Sequence, residues 1–112
     1  MNRPLRIAVL TTSRAEWGHL VWPLRSMIDH PDLEPLLYVA AAHLDERFGT
    51  TIDAVRSDGF EPDAVIECLD SEDARAGMAR TVAALGVGLA DQLIKDAPDI
   101  MLVMADRYEM LA

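Results

Sequence analysis

Three groups of residues could carry chemistry in this chain of 112 residues, and each stands just past a run of aliphatic residues. Ser13, Arg14, Ala15 and Glu16 follow residues 5–11, His43 follows residues 36–42, and Asp106 and Arg107 follow residues 100–104. The first group reads either as an anion-binding loop or as a solvated turn. In the loop reading, Arg14 supplies charge and the next helix offers the free N–H groups of its first turn. It lacks the glycine-rich fingerprint of dinucleotide-binding turns, which disfavours a nicotinamide-dependent dehydrogenase. Asp106 beside Arg107 is either a catalytic pair or a helix start whose carboxylate favours the positive end of the helix dipole. His43 is either a general base or a structural hydrogen-bonding residue at a strand end.

The elements that must position these groups alternate along the chain. Residues 5–11 are short, aliphatic and β-branched, as in a strand buried on both faces. Leu20, Val21, Leu24, Met27 and Ile28 then recur at helical spacing, with Pro23 expected only near the start of that helix. Pro31-Asp32 ends it, and residues 36–42 form a second strand. Residues 44–58 read as helical, with Phe48, Ile52 and Val55 on one side and Gly59 as the C-terminal cap. Residues 64–68 form a short third strand. Asp70 and Ser71 are N-cap candidates for a long helix faced by Met78, Val82, Leu85, Leu89 and Leu93, with Gly86 and Gly88 as places for a kink. After Pro98-Asp99 comes a fourth strand, residues 100–104.

This alternation predicts a doubly wound α/β fold, with a parallel sheet and right-handed crossovers. Ligands of such sheets bind beyond the carboxyl ends of the strands, where strand order reverses. The three groups would therefore converge on one rim.

The length fits a single compact domain. A formal net charge of −9 disfavours a non-specific nucleic-acid binder and an anionic membrane surface, so arginines that meet a phosphate must act locally against the overall field. The single Cys68 has no partner for an intrachain disulfide and no metal-ligand spacing to other cysteines or histidines. It reads as a buried small hydrophobe. Trp17 and Trp22 read as packing residues, and Glu72 and Asp73 as charges of a helix N-terminus. The apolar run at residues 7–10 is too short for a secretory or membrane segment, so a cytoplasmic location is expected.

Several motifs, in order, carry a resemblance over essentially the whole chain. Thr11-Thr12-Ser13-Arg14-Ala15-Glu16-Trp17-Gly18 resembles the Arg-Ala-Asp-Tyr-Gly signature of hydrolysing UDP-N-acetylglucosamine 2-epimerases. His43-Leu44 with Phe48-Gly49, Asp58-Gly59-Phe60, Pro98-Asp99-Ile100 and Asp106-Arg107-Tyr108-Glu109 are similar to the same family. Glu16 and Trp17 stand where the family usually has aspartate and tyrosine or phenylalanine, which changes reach and bulk. Ala105 stands where it usually has glycine before the Asp-Arg pair, and alanine would strain that point if it required positive φ.

The resemblance implies an enzyme of the glycosyltransferase-B type, whose active site lies in a cleft between two Rossmann-like domains. This chain would be a partial N-terminal domain, with the second domain absent from it. The implied reaction eliminates UDP across C1 and C2 of the sugar and then adds water, giving N-acetylmannosamine for sialic-type sugars, with no redox cofactor and no metal. By position, Asp106 is the implied catalytic residue, Arg14, Ala15 and Arg107 contact the UDP-sugar, and His43 lies on the site rim. A homo-oligomer is implied for the full-length enzyme.

Two alternatives remain at this point. One is a 2-epimerase acting on a UDP-diacetamido-bacillosamine sugar; the other is a non-catalytic α/β interaction or regulatory module. A reading frame that continues for roughly two hundred residues or more with a second α/β pattern favours an enzyme. Because the chain stops at Ala112 in what reads as a first helical turn, the fourth strand should be partly uncovered. Poor autonomous stability and an inactive isolated chain are therefore expected.

Overall fold

The computed structural model describes residues 3–40, 51–68, 76–104 and 108–112. Along the chain these give β1 (Leu5–Thr11), α1 (Arg14–Asp29), β2 (Leu33–Ala40), α2 (Ile52–Ser57), β3 (Ala64–Ile66), α3 (Gly77–Asp96) and β4 (Ile100–Leu102). A 3-10 turn, Tyr108–Leu111, follows. All strand pairs are parallel and the order is β3-β2-β1-β4. From β1 the chain steps outward through β2 to β3, then returns along α3 to the other side of β1. Strand order therefore reverses between β1 and β4, where a ligand crevice is expected in a doubly wound sheet.

The period-two pattern of the central strands explains the three layers. Ile7 and Val9 of β1, with Leu37 and Val39 of β2, face a core closed by Trp17, Leu20 and Leu24 of α1 and by Ile52 and Val55 of α2. Ala8, Leu10, Leu36, Tyr38 and Ala40 face the opposite core, closed by Leu85 and Leu89 of α3. A strand buried on both faces must be apolar throughout, which is why residues 5–11 and 36–40 lack alternation. Full burial of each such aliphatic side chain contributes about 1.5–3 kcal/mol.

The helices depart from expectation at four places. Pro23 lies well inside α1 rather than near its start, so one intrahelical hydrogen bond is missing there while the buried Trp17, Leu20 and Leu24 hold the helix on the sheet. The inward stripe of α3 is Gly77, Thr81, Leu85 and Leu89, a strict i+4 series, and Met78 is 62% exposed. Trp22 is not packed inside but 68% exposed, with the Arg25 guanidinium 4.8 Å from its ring centre. Gly86 and Gly88 do not interrupt α3. Gly88 instead permits close approach to β3, because a Cβ there would stand 2.6 Å from Ile66 Cγ2. Gly59 has φ 94°, as a capping glycine after α2 requires. The N-cap candidates Asp70 and Ser71, like residues 44–50, lie outside the described residues. Cys68 is buried, as expected of a small hydrophobe.

A cluster at the amino-terminal rim fastens β4 to β1. Arg3 donates to both carboxylate oxygens of Asp99 at 2.7 and 2.6 Å, and the Arg6 N–H donates to Asp99 Oδ2 at 2.9 Å. The Asp99 N–H donates in return to the Arg6 carbonyl at 2.8 Å. Arg6 also donates to the carbonyl of Asp96, whose carboxylate accepts from Tyr38 Oη and Gln92 Nε2, each at 2.7 Å. The resemblance at Pro98-Asp99-Ile100 thus corresponds to a structural clamp. At the far edge, Ile100 and Val103 are 49% and 41% exposed, and a cavity of about 250 Å³ opens between α3, β4 and the 3-10 turn.

Candidate functional site

Thr11, the last residue of β1, and Thr12 and Ser13, which follow it, are all buried, and the chain then turns directly into α1. Ser13 has extended backbone angles and its Oγ accepts from the Glu16 N–H at 3.4 Å, the ordinary bond of a helix N-cap. Glu16 is only 3% exposed. Its Oε2 accepts from the Thr12 N–H at 2.8 Å and its Oε1 from the Thr12 hydroxyl at 2.6 Å. In a capping box the third helical residue reaches back to the N-cap N–H. Here it reaches one residue further, so the Ser13 N–H is not engaged by any described residue.

Arg14 and Ala15 are the first two residues of α1, and both are exposed. A helix cannot provide acceptors for the N–H groups of its first turn, so these two amides face outward at the positive end of the helix dipole. Among the described residues Arg14 has no ion-pair partner. One cation and successive amides without an acceptor among the described residues therefore stand at the carboxyl end of β1, next to β4. Such a combination can bind an anionic group, phosphate above all.

The helix start is braced from behind. Trp17 Nε1 donates to Asp58 Oδ2 at 2.7 Å, and the Trp17 and Phe60 rings meet edge to face with centres 5.2 Å apart. Arg25 donates to the Asp58 carbonyl at 2.9 Å. Asp58-Gly59-Phe60 therefore supports the first turn of α1 rather than lining the rim.

Of the five residues expected at the site, the structure places Arg14 and Ala15 on the rim. His43, Asp106 and Arg107 lie outside the described residues, as does Ala105. The parallel pairing of Val9 with Leu102 nevertheless sets the end of β4 beside β1, the strand that leads to Arg14. Sequence reasoning missed Thr12 and the role of Glu16, although Ser13-x-x-Glu16 has capping-box spacing. Among the described residues no group of three or more metal-ligating side chains could hold a metal ion, and no helix is long and apolar enough to cross a membrane.

No protein-family model matches the chain. Comparison with known proteins nevertheless places the fold: it matches the N-terminal domain of solved UDP-N-acetylglucosamine 2-epimerases. One such crystal structure superposes with a TM-score of 0.79 at 17% identity, covering 96% of this chain and 28% of that one. The homologues are more particular. Over 107 residues the chain is 26% identical to the hydrolysing UDP-N,N'-diacetylbacillosamine 2-epimerase of Legionella pneumophila. Over 108 residues it is 29% identical to the UDP-N-acetylglucosamine 2-epimerase of Neisseria meningitidis. Both alignments cover 96% of the chain, which spans only about 28% of the length of either relative.

Proposed function

We propose that this chain forms one wall of the active site of a hydrolysing UDP-N-acetylglucosamine 2-epimerase. The observation that carries the reading is the placement of Arg14 and the open amides of the α1 start at the point where strand order reverses. The alignment of nearly the whole chain with 2-epimerases supports it. Arg14 and the Ala15 amide bind the diphosphate of UDP-N-acetylglucosamine, and Arg107 joins them from the segment after β4. Asp106 takes the proton from C2 of the sugar. The electron pair forms the C1–C2 double bond of 2-acetamidoglucal as the C1–O bond to UDP breaks, and the arginines offset the charge gathering on the diphosphate. Water then adds, its oxygen to C1 and a proton to the opposite face of C2, giving N-acetylmannosamine and UDP.

This chemistry requires no redox cofactor. A second Rossmann-like domain supplies the other wall of the cleft, His43 lies at its edge, and the enzyme works in the cytoplasm on sugars destined for sialic-type acids. Assembly as a homo-oligomer belongs to the same proposal. A second reading keeps the chemistry and changes the sugar to a UDP-diacetamido-bacillosamine, supported by the Legionella alignment.

The test is UDP release by the full-length protein, with each UDP-sugar offered in turn. Asp106→Asn should slow release by about 100-fold or more, the scale of a lost general base. Release at the parent rate by that variant would refute its role, and a preference for the diacetamido sugar would select the second reading.

A further inference from the structure

The helix start after β1 is secured twice, and only one of the two devices is needed to cap the helix. Ser13 Oγ already accepts from the Glu16 N–H, as an N-cap does. Glu16 adds a carboxylate that is almost wholly removed from water, at a point where a bare charge would be costly. Among the described residues, each of its oxygens accepts from Thr12, one from the backbone N–H and one from the side-chain hydroxyl. Thr11 adds a hydrogen bond from its hydroxyl to the Ser13 carbonyl at 3.3 Å. The turn is therefore clasped from its inner side, while among the described residues the N–H groups of Ser13, Arg14 and Ala15 have no acceptor.

The geometry points to Glu16 as a positioning residue of the nucleotide-sugar site, its two-point clasp on Thr12 holding the β1–α1 turn so that Arg14 and the open amides meet the diphosphate. This inference rests on the function proposed above and assigns a role to residues that do not themselves touch the substrate. Holding this turn in one conformation costs conformational entropy, which binding has to return. Preformed donors give that return, because a ligand that meets them in place spends none of its binding free energy on ordering the turn. The extra methylene of glutamate over aspartate gives the carboxylate the reach to pass Ser13 and engage Thr12, which leaves the Ser13 N–H available.

The test uses the complete protein that carries this chain, with UDP and UDP-N-acetylglucosamine as probes, well below the unfolding temperature of each variant. Thr12→Val removes the hydroxyl with little change of volume, and Glu16→Ala removes the whole clasp. Each should raise the Kd for UDP by roughly tenfold, the scale of one hydrogen bond's net contribution. The double variant should bind about as weakly as Glu16→Ala alone, since both changes break one unit. Glu16→Gln should restore most of the affinity, because its amide can accept from the Thr12 N–H and donate to the Thr12 oxygen. A merely structural role would shift the unfolding temperature and leave the Kd of the folded variants alone. UDP binding at the parent Kd by both Thr12→Val and Glu16→Ala would overturn the positioning role and leave the proposed function standing. A parent protein that bound neither UDP nor UDP-N-acetylglucosamine would overturn the proposed function, and this inference with it.

Discussion

At the amino-terminal rim of the sheet, Arg3, Arg6, Asp96 and Asp99 answer one another, whereas at the carboxyl-terminal rim Arg14 faces outward without a described partner. Ionisation is disturbed at the first rim. Hydrogen bonds from Arg3 and from the Arg6 N–H hold the Asp99 carboxyl down at about 2, and those from Gln92 and Tyr38 lower that of Asp96. Burial and the Asp96 carboxylate push the Tyr38 phenol well above its usual value. Perturbed ionisation is often taken as a mark of function, yet here it marks a saturated clamp. The rim proposed for substrate is distinguished by donors that no described residue engages.

If that contrast is right, variants at the amino-terminal rim should change stability and leave nucleotide binding alone. The largest effect is expected for Asp99→Asn, which loses the charge that joins Arg3 to the β1 backbone and should lower the thermal midpoint by several degrees without changing the UDP Kd. Its pH profile sharpens the point. A carboxyl whose folded pKa is depressed contributes stability that is fully present above its unfolded value, about 3.9, and is lost as pH falls through the folded value. Parent protein should therefore lose this contribution between about pH 4 and pH 2. Urea denaturation across that window should give a flatter profile for Asp99→Asn.

Tyr38→Phe removes one hydrogen bond to the Asp96 carboxylate and should cost about 1–2 kcal/mol by the same assay. The smallest change has the opposite sign. Ala97 ends α3 with φ 46°, a left-handed conformation that glycine adopts without penalty, so Ala97→Gly should stabilise by about 1 kcal/mol. A destabilised Ala97→Gly variant would show that another interaction outweighs the backbone strain.

Much of this was legible from residue types alone. Apolar runs bounded by proline and glycine gave all four strands and the α/β class, because burial on both faces leaves little room for polar residues at residues 5–11 and 36–40. The rim positions of Arg14 and Ala15 followed from their place after the first strand. What escaped notice depended on tertiary neighbours. Pro23 is accommodated within α1 by burial elsewhere on the helix, which local propensity cannot reveal. Met78 and Trp22 are apolar in type but exposed, since a sheet this narrow covers only one face of each helix. The type of Glu16 does not reveal its bonds to Thr12, which depend on how the turn into α1 folds.

Removing one arginine from each rim is the sharpest test of whether the two differ in use as well as in charge pairing. Arg14→Ala and Arg3→Ala change the net charge of the protein equally, so a difference between them reports where the arginine stands and not the overall charge. In calorimetric titration of the full-length protein with UDP, Arg14→Ala should raise the Kd by roughly tenfold to a hundredfold, the scale of a charge-assisted hydrogen bond, while Arg3→Ala binds as the parent does. Equal affinities for Arg14→Ala and the parent, or a loss confined to Arg3→Ala, would show that the carboxyl-terminal rim does not hold the diphosphate.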